Sequence, residues 1–353
     1  MTQTLSYAAQ SNTSPLSPWQ FERRDLRADD VDIEILYCGV CHTDIHQTRD
    51  DWGNAVYPMV PGHEIIGRVV GLGTEATKFQ IGDLVGVGTL VDSCRECEAC
   101  QADLEVYCEQ YPTSTYNARD RRDGSPTYGG YSQRIVTAEH FVLRIPEGLD
   151  PKAAGPLLCA GITTYSPLRH WKVGPGMKVA VVGLGGLGHM GLKFAHALGA
   201  QVSLFTRSES KIEEAKRLGA DTVVLSSDAE QMKAAFGQFD LILDTVPGAH
   251  DLNPYLATLK LNGTMVLVGQ LDAIDPTVQA ISLIMGRKSL AGSGSGGIAQ
   301  TQEMLDFCAE RGINCDVEMI DIQNIGAAFE RVLKGDVRYR FVIDMKSLRE
   351  ETR

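Results

Sequence analysis

Two rhythms of apolar and polar residues run along this chain. Up to about residue 150 apolar positions tend to recur at every second residue, as in VDIEILYCGV (31–40), and EIIGRVVGLG, GDLVGVG and YSQRIVTA look similar. Period-two spacing puts side chains on alternate faces, so these runs predict short strands joined by Gly- and Pro-rich turns. After Pro146 the texture changes. Residues 151–170 carry helical spacing, and MKVAVVGLGGLGHMGLKFAHALGAQVSLFTRS (177–208) reads as strand, Gly-rich turn, Ala-rich helix and second strand. The alternation continues through SKIEEAKRLGADTVVL, QFDLILDTV, GTMVLVGQ and SLAGSGSG, then a helix TQEMLDFCAERG and a closing strand YRFVIDM. Strands alternating with helices of about 10–15 residues predict a parallel sheet covered on both faces. The closing strand is free to return to the first, β-rich part. No internal repeat or low-complexity segment interrupts this plan.

Length and charge narrow the field. A chain of 353 residues suits two domains, each with its own core. The net charge of −12 offers no basic face for nucleic acid or an anionic membrane. The mixed run Arg119-Asp-Arg-Arg-Asp reads as a solvated loop. No apolar stretch approaches the ~18 residues that span a bilayer, and the first residues lack the basic flank and apolar core of a signal peptide. Nine cysteines, an odd number and clustered, point to metal in a reducing cytoplasm and away from a disulfide framework.

The tightest chemical signal is Cys94-x2-Cys97-x2-Cys100-x7-Cys108. Four thiolates can surround one zinc at ~2.3 Å, and such a closed shell leaves no open position, so the ion would be structural. Iron–sulfur runs share the two-residue spacing, but their usual Cys-Pro ending is missing here. A second group joins CGVCHTDIH (38–46) to Pro61-Gly-His63-Glu64. A lone histidine is more often a satisfied polar residue than a ligand; a cysteine beside it changes that balance. A catalytic zinc needs three protein ligands and one vacancy, and Cys41, His63 and Cys159 of LLCAGIT offer the three. Asp44 can orient the histidine through its second nitrogen.

The third signal is Gly183-Leu-Gly185-Gly186-Leu187-Gly188, which follows the strand KVAVV and opens a helix. In that context the glycines permit a tight turn and close approach of a pyrophosphate at the helix N-terminus. An NAD site places an acid at the end of the next strand. This chain has Thr206-Arg207-Ser208 and then Lys211, groups suited to a 2′-phosphate, with Glu209 expected past the contact on the following helix.

Taken in order, GVCHTD, PGHE, the four cysteines, LLCAGIT, GLGGLGH and YRFVID resemble the zinc-dependent medium-chain alcohol dehydrogenases, and within them the cinnamyl-alcohol-dehydrogenase-like branch with its bacterial NADPH-dependent aldehyde reductases. The likeness covers nearly the whole chain. It implies an α/β fold, a Rossmann doubly wound parallel sheet inserted in a β-rich GroES-like catalytic domain. Residues 1–154 would form the first part of that domain, 155–294 the NADP-binding domain, and 295–353 the return. It further implies two zinc ions per subunit: catalytic zinc on Cys41, His63 and Cys159 with Glu64 as an exchanging ligand, and structural zinc on the four-cysteine lobe. Thr43 would touch the substrate oxygen and His46 would end a proton relay. His42 and Arg340 would lie near the pyrophosphate, and Thr163 near the nicotinamide. Trp52, Gly294 and Ser295 would line the substrate pocket, the last two small enough to admit a bulky or aromatic aldehyde; the alternative is that the glycines of 293–297 serve a tight turn or a close dimer contact. Members of the branch are commonly homodimers joined through the last Rossmann strand, here near SLAGSG. Cys38 matches no ligand position and reads as core. The implied reaction is zinc-assisted hydride transfer from NADPH to an aldehyde, and its reverse. A decayed, non-catalytic relative would have lost Cys41, Thr43, His63 or Cys159, and all four are present. Polyol- and formaldehyde-type dehydrogenases are the other enzymatic reading; the acid-free strand end disfavours their NAD-linked versions.

Overall fold

The computed structural model describes residues 2–269 and 272–350. Its contacts divide the chain into two units, Met1–Cys159 with Gly296–Arg353, and Ala160–Ser295.

The first unit is built on a β-sheet in which Val317–Asp321, Arg340–Asp344, Asp30–Gly39, Ile65–Leu72, Leu84–Val87 and Leu143–Arg144 lie side by side. The strand Arg134–Ala138 also pairs with Asp30–Gly39. The late strand Arg340–Asp344 does return: Val342 opposes Gly39 and Ile343 opposes Cys38, antiparallel. Asp30–Gly39 is therefore an interior strand. The alternation its sequence predicts holds along the middle of the strand, where Val31, Ile33 and Ile35 are buried while Glu34 and Leu36 are half-buried; Asp30, Asp32 and Cys38 are buried as well. Cys38 sits in that core, fully buried.

The run 119–123 is a loop, exposed apart from the half-buried Asp120, and it carries surface ion pairs. Arg122 lies 2.6 Å from Asp29, and Asp120 lies 2.8 Å from Arg27. Complementary charges on the segment 24–30 hold it down.

The second unit is a parallel sheet in the order Thr222–Leu225, Gln201–Thr206, Lys178–Val182, Phe239–Asp244, Leu259–Leu267, Ser289–Gly292. Counted in chain order this is 3-2-1-4-5-6, the Rossmann arrangement. Its strands read as near-continuous buried runs (Val179–Val182, Val202–Phe205 and Leu241–Asp244), as parallel sheets covered on both faces require. Among the described residues no helix is long and apolar enough to cross a membrane.

Candidate functional site

In the first unit, the strand Asp30–Gly39 delivers the chain to Cys41, which precedes the helix His42–Arg49. Asp44, fully buried in that helix, turns back so that Oδ2 accepts the Cys41 N–H at 2.9 Å. Its Oδ1 accepts the Gly62 N–H at 3.1 Å and lies 3.6 Å from His63 Nδ1. Gly62 has φ +101°, and a Cβ there would stand 2.7 Å from the Tyr131 ring and 2.8 Å from Cys38 Sγ. Only glycine lets the His63 loop settle so closely. Cys159 follows the short turn Gly155–Leu158, whose Gly155 packs against the Glu64 backbone.

These elements bring one donor atom each from Cys41, His63, Glu64 and Cys159 to within 4.8 Å of one another. The sulfurs of Cys41 and Cys159 are 3.8 Å apart. Two thiolates ~2.3 Å from one tetrahedral zinc stand ~3.8 Å apart, so the spacing fits that ion. His63 Nε2 and Glu64 Oε2 are buried and without hydrogen-bond partners, orphans that a metal would satisfy.

The electrostatics agree. Burial pushes the Glu64 carboxyl up to about 8. Burial opposes charge on His63, but Asp44 and Cys41 outweigh it and raise the imidazole to about 9. The Cys41 thiol is drawn down, chiefly by its hydrogen bond with Cys159. A buried set of acidic donors is a standing demand for a cation. Arg340 meets part of it, donating from Nη2 to Glu64 Oε1.

The second metal set lies apart in the same unit. Cys94, Cys97, Cys100 and Cys108 place their sulfurs within 4.8 Å of one another, with Cys94 and Cys100 3.8 Å apart. Backbone N–H groups already point at two sulfurs, Cys97 N–H to Cys94 (3.3 Å) and Cys94 N–H to Cys108 (3.4 Å), as thiolates require.

Around the first set, Thr43 and His42 are half-buried in the first turn of their helix. His46 stacks on His42 at 5.9 Å, lies 2.7 Å from Asp51, and has the exposed Trp52 ring 5.4 Å away. Two tyrosines escaped the sequence reading. Tyr131 donates to Asp44 Oδ2 at 3.2 Å, and Tyr116 lies parallel to the His63 ring at 5.8 Å. Neither stands at a spacing that marks it; only the fold supplies the link.

The second unit holds the Gly-rich turn. Gly183 has φ +88°, and a Cβ on Gly188 would stand 2.1 Å from the Gly183 carbonyl oxygen. At Gly185 a Cβ would meet nothing within 4 Å. The turn is thus tight behind and open in front, and it leads into the helix Gly188–Ala197, whose His189 N–H donates back to the Gly185 carbonyl at 3.0 Å. Gly186 and Leu187 complete it. At the strand end Thr206 is buried, Ser208 donates its N–H to Thr206 Oγ1 at 3.2 Å, and Lys211 Nζ donates to the Leu184 carbonyl at 3.1 Å. Arg207 is exposed and forms no ion pair among the described residues. Glu209 opens a 3-10 turn, Glu209–Lys211, that leads into the helix Ile212–Arg217, and it is exposed. Thr163 is buried in the helix Ala160–His170. Gly294, exposed, and Ser295, half-buried, follow the strand Ser289–Gly292.

Residues 27–147 match the family model of the alcohol dehydrogenase GroES-like domain, and residues 186–310 that of the zinc-binding dehydrogenases. The chain is 55% identical over 341 residues to the aldehyde reductase YahK of Escherichia coli (strain K12), covering 96% of this chain and 97% of that protein. Its fold superposes on a cinnamyl alcohol dehydrogenase of Sorghum bicolor with a TM-score of 0.94 at 46% identity, covering 98% of each chain. The CAD of Helicobacter pylori in complex with NADP(H) gives 0.91 at 39%, again over 98% of each chain. The chain therefore belongs to the zinc-binding dehydrogenases that carry a GroES-like alcohol dehydrogenase domain.

Proposed function

We propose that this chain reduces aldehydes to primary alcohols, reversibly, with NADPH as the hydride donor and two zinc ions per subunit. The observation that carries the reading is the convergent set Cys41, His63, Glu64 and Cys159, the first three buried, with His63 Nε2 unpartnered, in a chain whose nucleotide strand ends on Thr206-Arg207-Ser208 instead of an acid. Its likeness to an aldehyde reductase and to a dehydrogenase solved with NADP(H) supports the same chemistry.

When bound, zinc supplies a Lewis acid for the carbonyl oxygen and the nicotinamide supplies hydride. The chain does the rest. Cys41, His63 and Cys159 hold the metal, Asp44 orients His63, and Glu64, pinned by Arg340, stands as an exchanging ligand. Thr43 passes a proton to the substrate oxygen, and His46, half exposed beside Asp51, lies at the solvent end of that proton path. Arg207, Ser208 and Lys211 receive the 2′-phosphate, and the Gly183–Gly188 turn the pyrophosphate. His42 and Arg340 serve the pyrophosphate as well, and Thr163 the nicotinamide. Trp52, Gly294 and Ser295 line a pocket for bulky or aromatic aldehydes; the segment 293–297 follows the C-terminal end of a parallel strand, where such sheets bind ligands.

Two features support a homodimer: the strand Ser289–Gly292 ends the sheet, and Ile281, Ile284 and Met285 nearby are 57%, 70% and 78% exposed. Nine free cysteines suit a reducing cytoplasm. Initial rates over a panel of aldehydes and alcohols with each cofactor test the reading. Turnover confined to NADH, or to non-carbonyl substrates, would refute it, and light scattering of the purified protein tests the dimer.

A further inference from the structure

Asp244 ends the strand Phe239–Asp244 and pairs with Val182, the residue before the Gly-rich turn. It is a fully buried carboxylate in the unit proposed to bind a polyanion. Oδ1 accepts the Val246 N–H at 3.1 Å. Oδ2 makes no aligned hydrogen bond, and the cation facing it is His250, whose Nε2 lies 3.1 Å away. The other ring nitrogen of His250, Nδ1, is 3.0 Å from the Gly248 carbonyl oxygen. A carbonyl can only accept, so Nδ1 carries a hydrogen, and the carboxylate facing Nε2 calls for a second. Both demands are met by an imidazolium. The facing Asp244 carboxylate raises the His250 pKa accordingly.

The position of this pair matters as much as its charge. The strand Lys178–Val182 lies between Gln201–Thr206 on one side and Phe239–Asp244 on the other. Arg207 leaves the first neighbour and the 245–250 loop leaves the second, at the carboxyl ends of parallel strands. The loop touches the Gly-rich turn: a Cβ on Gly183 would meet Val246 Cγ2 at 3.2 Å and Thr245 Oγ1 at 3.3 Å. The His250 ring packs edge-on to Tyr255 at 6.0 Å, and Tyr255 packs on Phe205 at 5.3 Å, two residues before Arg207. Arg207 is near enough for its charge to work against that of His250. Arg207 and His250 thus follow the two strands that flank Lys178–Val182, one on either side of the Gly-rich turn.

We propose that His250 is a further cofactor-binding residue, an imidazolium held by Asp244 across the crevice from Arg207, where it meets the 2′-phosphate of NADP(H). The inference rests on the NADP(H) reading of this unit. It also accounts for the buried Asp244, whose carboxylate aligns and charges the histidine, while the histidine screens that carboxylate from the incoming phosphate.

Calorimetric titration of the full, zinc-loaded chain with 2′,5′-ADP and with 5′-AMP, which differ only in the 2′-phosphate, tests it. His250→Gln should weaken 2′,5′-ADP by about tenfold, the low end for a charge-assisted bond at a partly exposed site, and leave 5′-AMP within twofold. Unchanged 2′,5′-ADP affinity, or equal loss of both ligands, overturns the assignment, because a purely structural ion pair cannot tell the ligands apart. Should the variant fail to fold, the unmodified protein serves. The His250 ring faces Asp244, Arg207, Tyr255 and the Gly248 carbonyl; in NMR its titration midpoint should rise with 2′,5′-ADP and not with 5′-AMP, and equal midpoints count against the proposal. Arg207→Ala runs in parallel. If it too leaves 2′,5′-ADP binding intact, the NADP(H) reading itself falls; if it alone weakens binding, only the role of His250 does.

Discussion

The backbone N–H of Ile298 donates a 3.0 Å hydrogen bond to the carboxylate of Glu105, 193 residues earlier in the chain. The other carboxylate oxygen lies 2.8 Å from His140 Nε2. Gly297, at the N-cap of the helix Ile298–Arg311, has no side chain to cap it and no room for one, since a Cβ there would stand 1.8 Å from the Asp103 carbonyl. Glu105, from within the four-cysteine lobe, caps the helix in its place. Glu105→Ala should therefore lower unfolding free energy by ~1–3 kcal/mol, read from denaturant melts. A change below 0.3 kcal/mol, on the order of measurement error, would show that the cap is idle.

The same residue predicts a pH dependence. Burial disfavours its charge, but His140 and the Ile298 N–H outweigh burial and hold Glu105 below the ordinary carboxylate range. A depressed carboxylate contributes stability above its unfolded pKa, ~4.3, and loses it as pH falls through the folded value. The stability gap between the unmodified chain and Glu105→Gln should be full above about pH 5 and close as pH falls through the depressed folded value. A gap that widens on acidification would reverse the sign of the argument.

Two zinc ions with separate roles make a sharper contrast. Cys41→Ser should remove one zinc and turnover while leaving the melting temperature near its original value. Cys97→Ser should instead cost solubility or melting temperature, because binding energy at a structural zinc is folding energy. One zinc per subunit in fully active protein, by elemental analysis, would contradict this.

Asp44 holds Cys41, Gly62 and Tyr131 while facing His63. Asp44→Asn should weaken zinc retention at that site by about 10- to 100-fold, measured by competition with a chelator, without emptying the four-cysteine site. Equal release from both sites would mean general unfolding.

At the strand end, Arg207→Ala combined with Lys211→Ala should cost about ten- to a hundredfold in the preference for NADPH over NADH, as kcat/KM with a fixed aldehyde. A parallel fall with both cofactors would place these residues outside the phosphate site.

For the pocket, Gly294→Met with Ser295→Ile should lose bulky aldehydes by about ten- to a hundredfold and keep short linear ones, at ~1–3 kcal/mol per methylene of clash. A uniform loss across the panel favours a backbone role for the glycine instead.

Much of this was legible in the chain because it is local. Cysteines two residues apart and glycines between a strand and a helix fix geometry within a few residues, and the late strand YRFVIDM carried its own apolar run. What was illegible is long-range and lacks spacing. Nothing in the sequence joins Glu105 to Ile298 or Tyr131 to Asp44; each pair meets only after separate strands have been laid side by side. Gly297 shows the same limit: its glycine serves a close approach to Asp103, which no local turn signal announces.

The pairing of Arg340–Asp344 with Asp30–Gly39 has a consequence for biosynthesis. The strand that supplies Arg340 to Glu64 emerges from the ribosome long after the cysteines and histidine beside which it settles. During translation the inserted parallel sheet has its strands in hand first, while the nascent metal pocket waits with its guanidinium missing. A polypeptide stalled before residue 340 would hold Cys41, His63 and Cys159 but lack the guanidinium that pairs with Glu64.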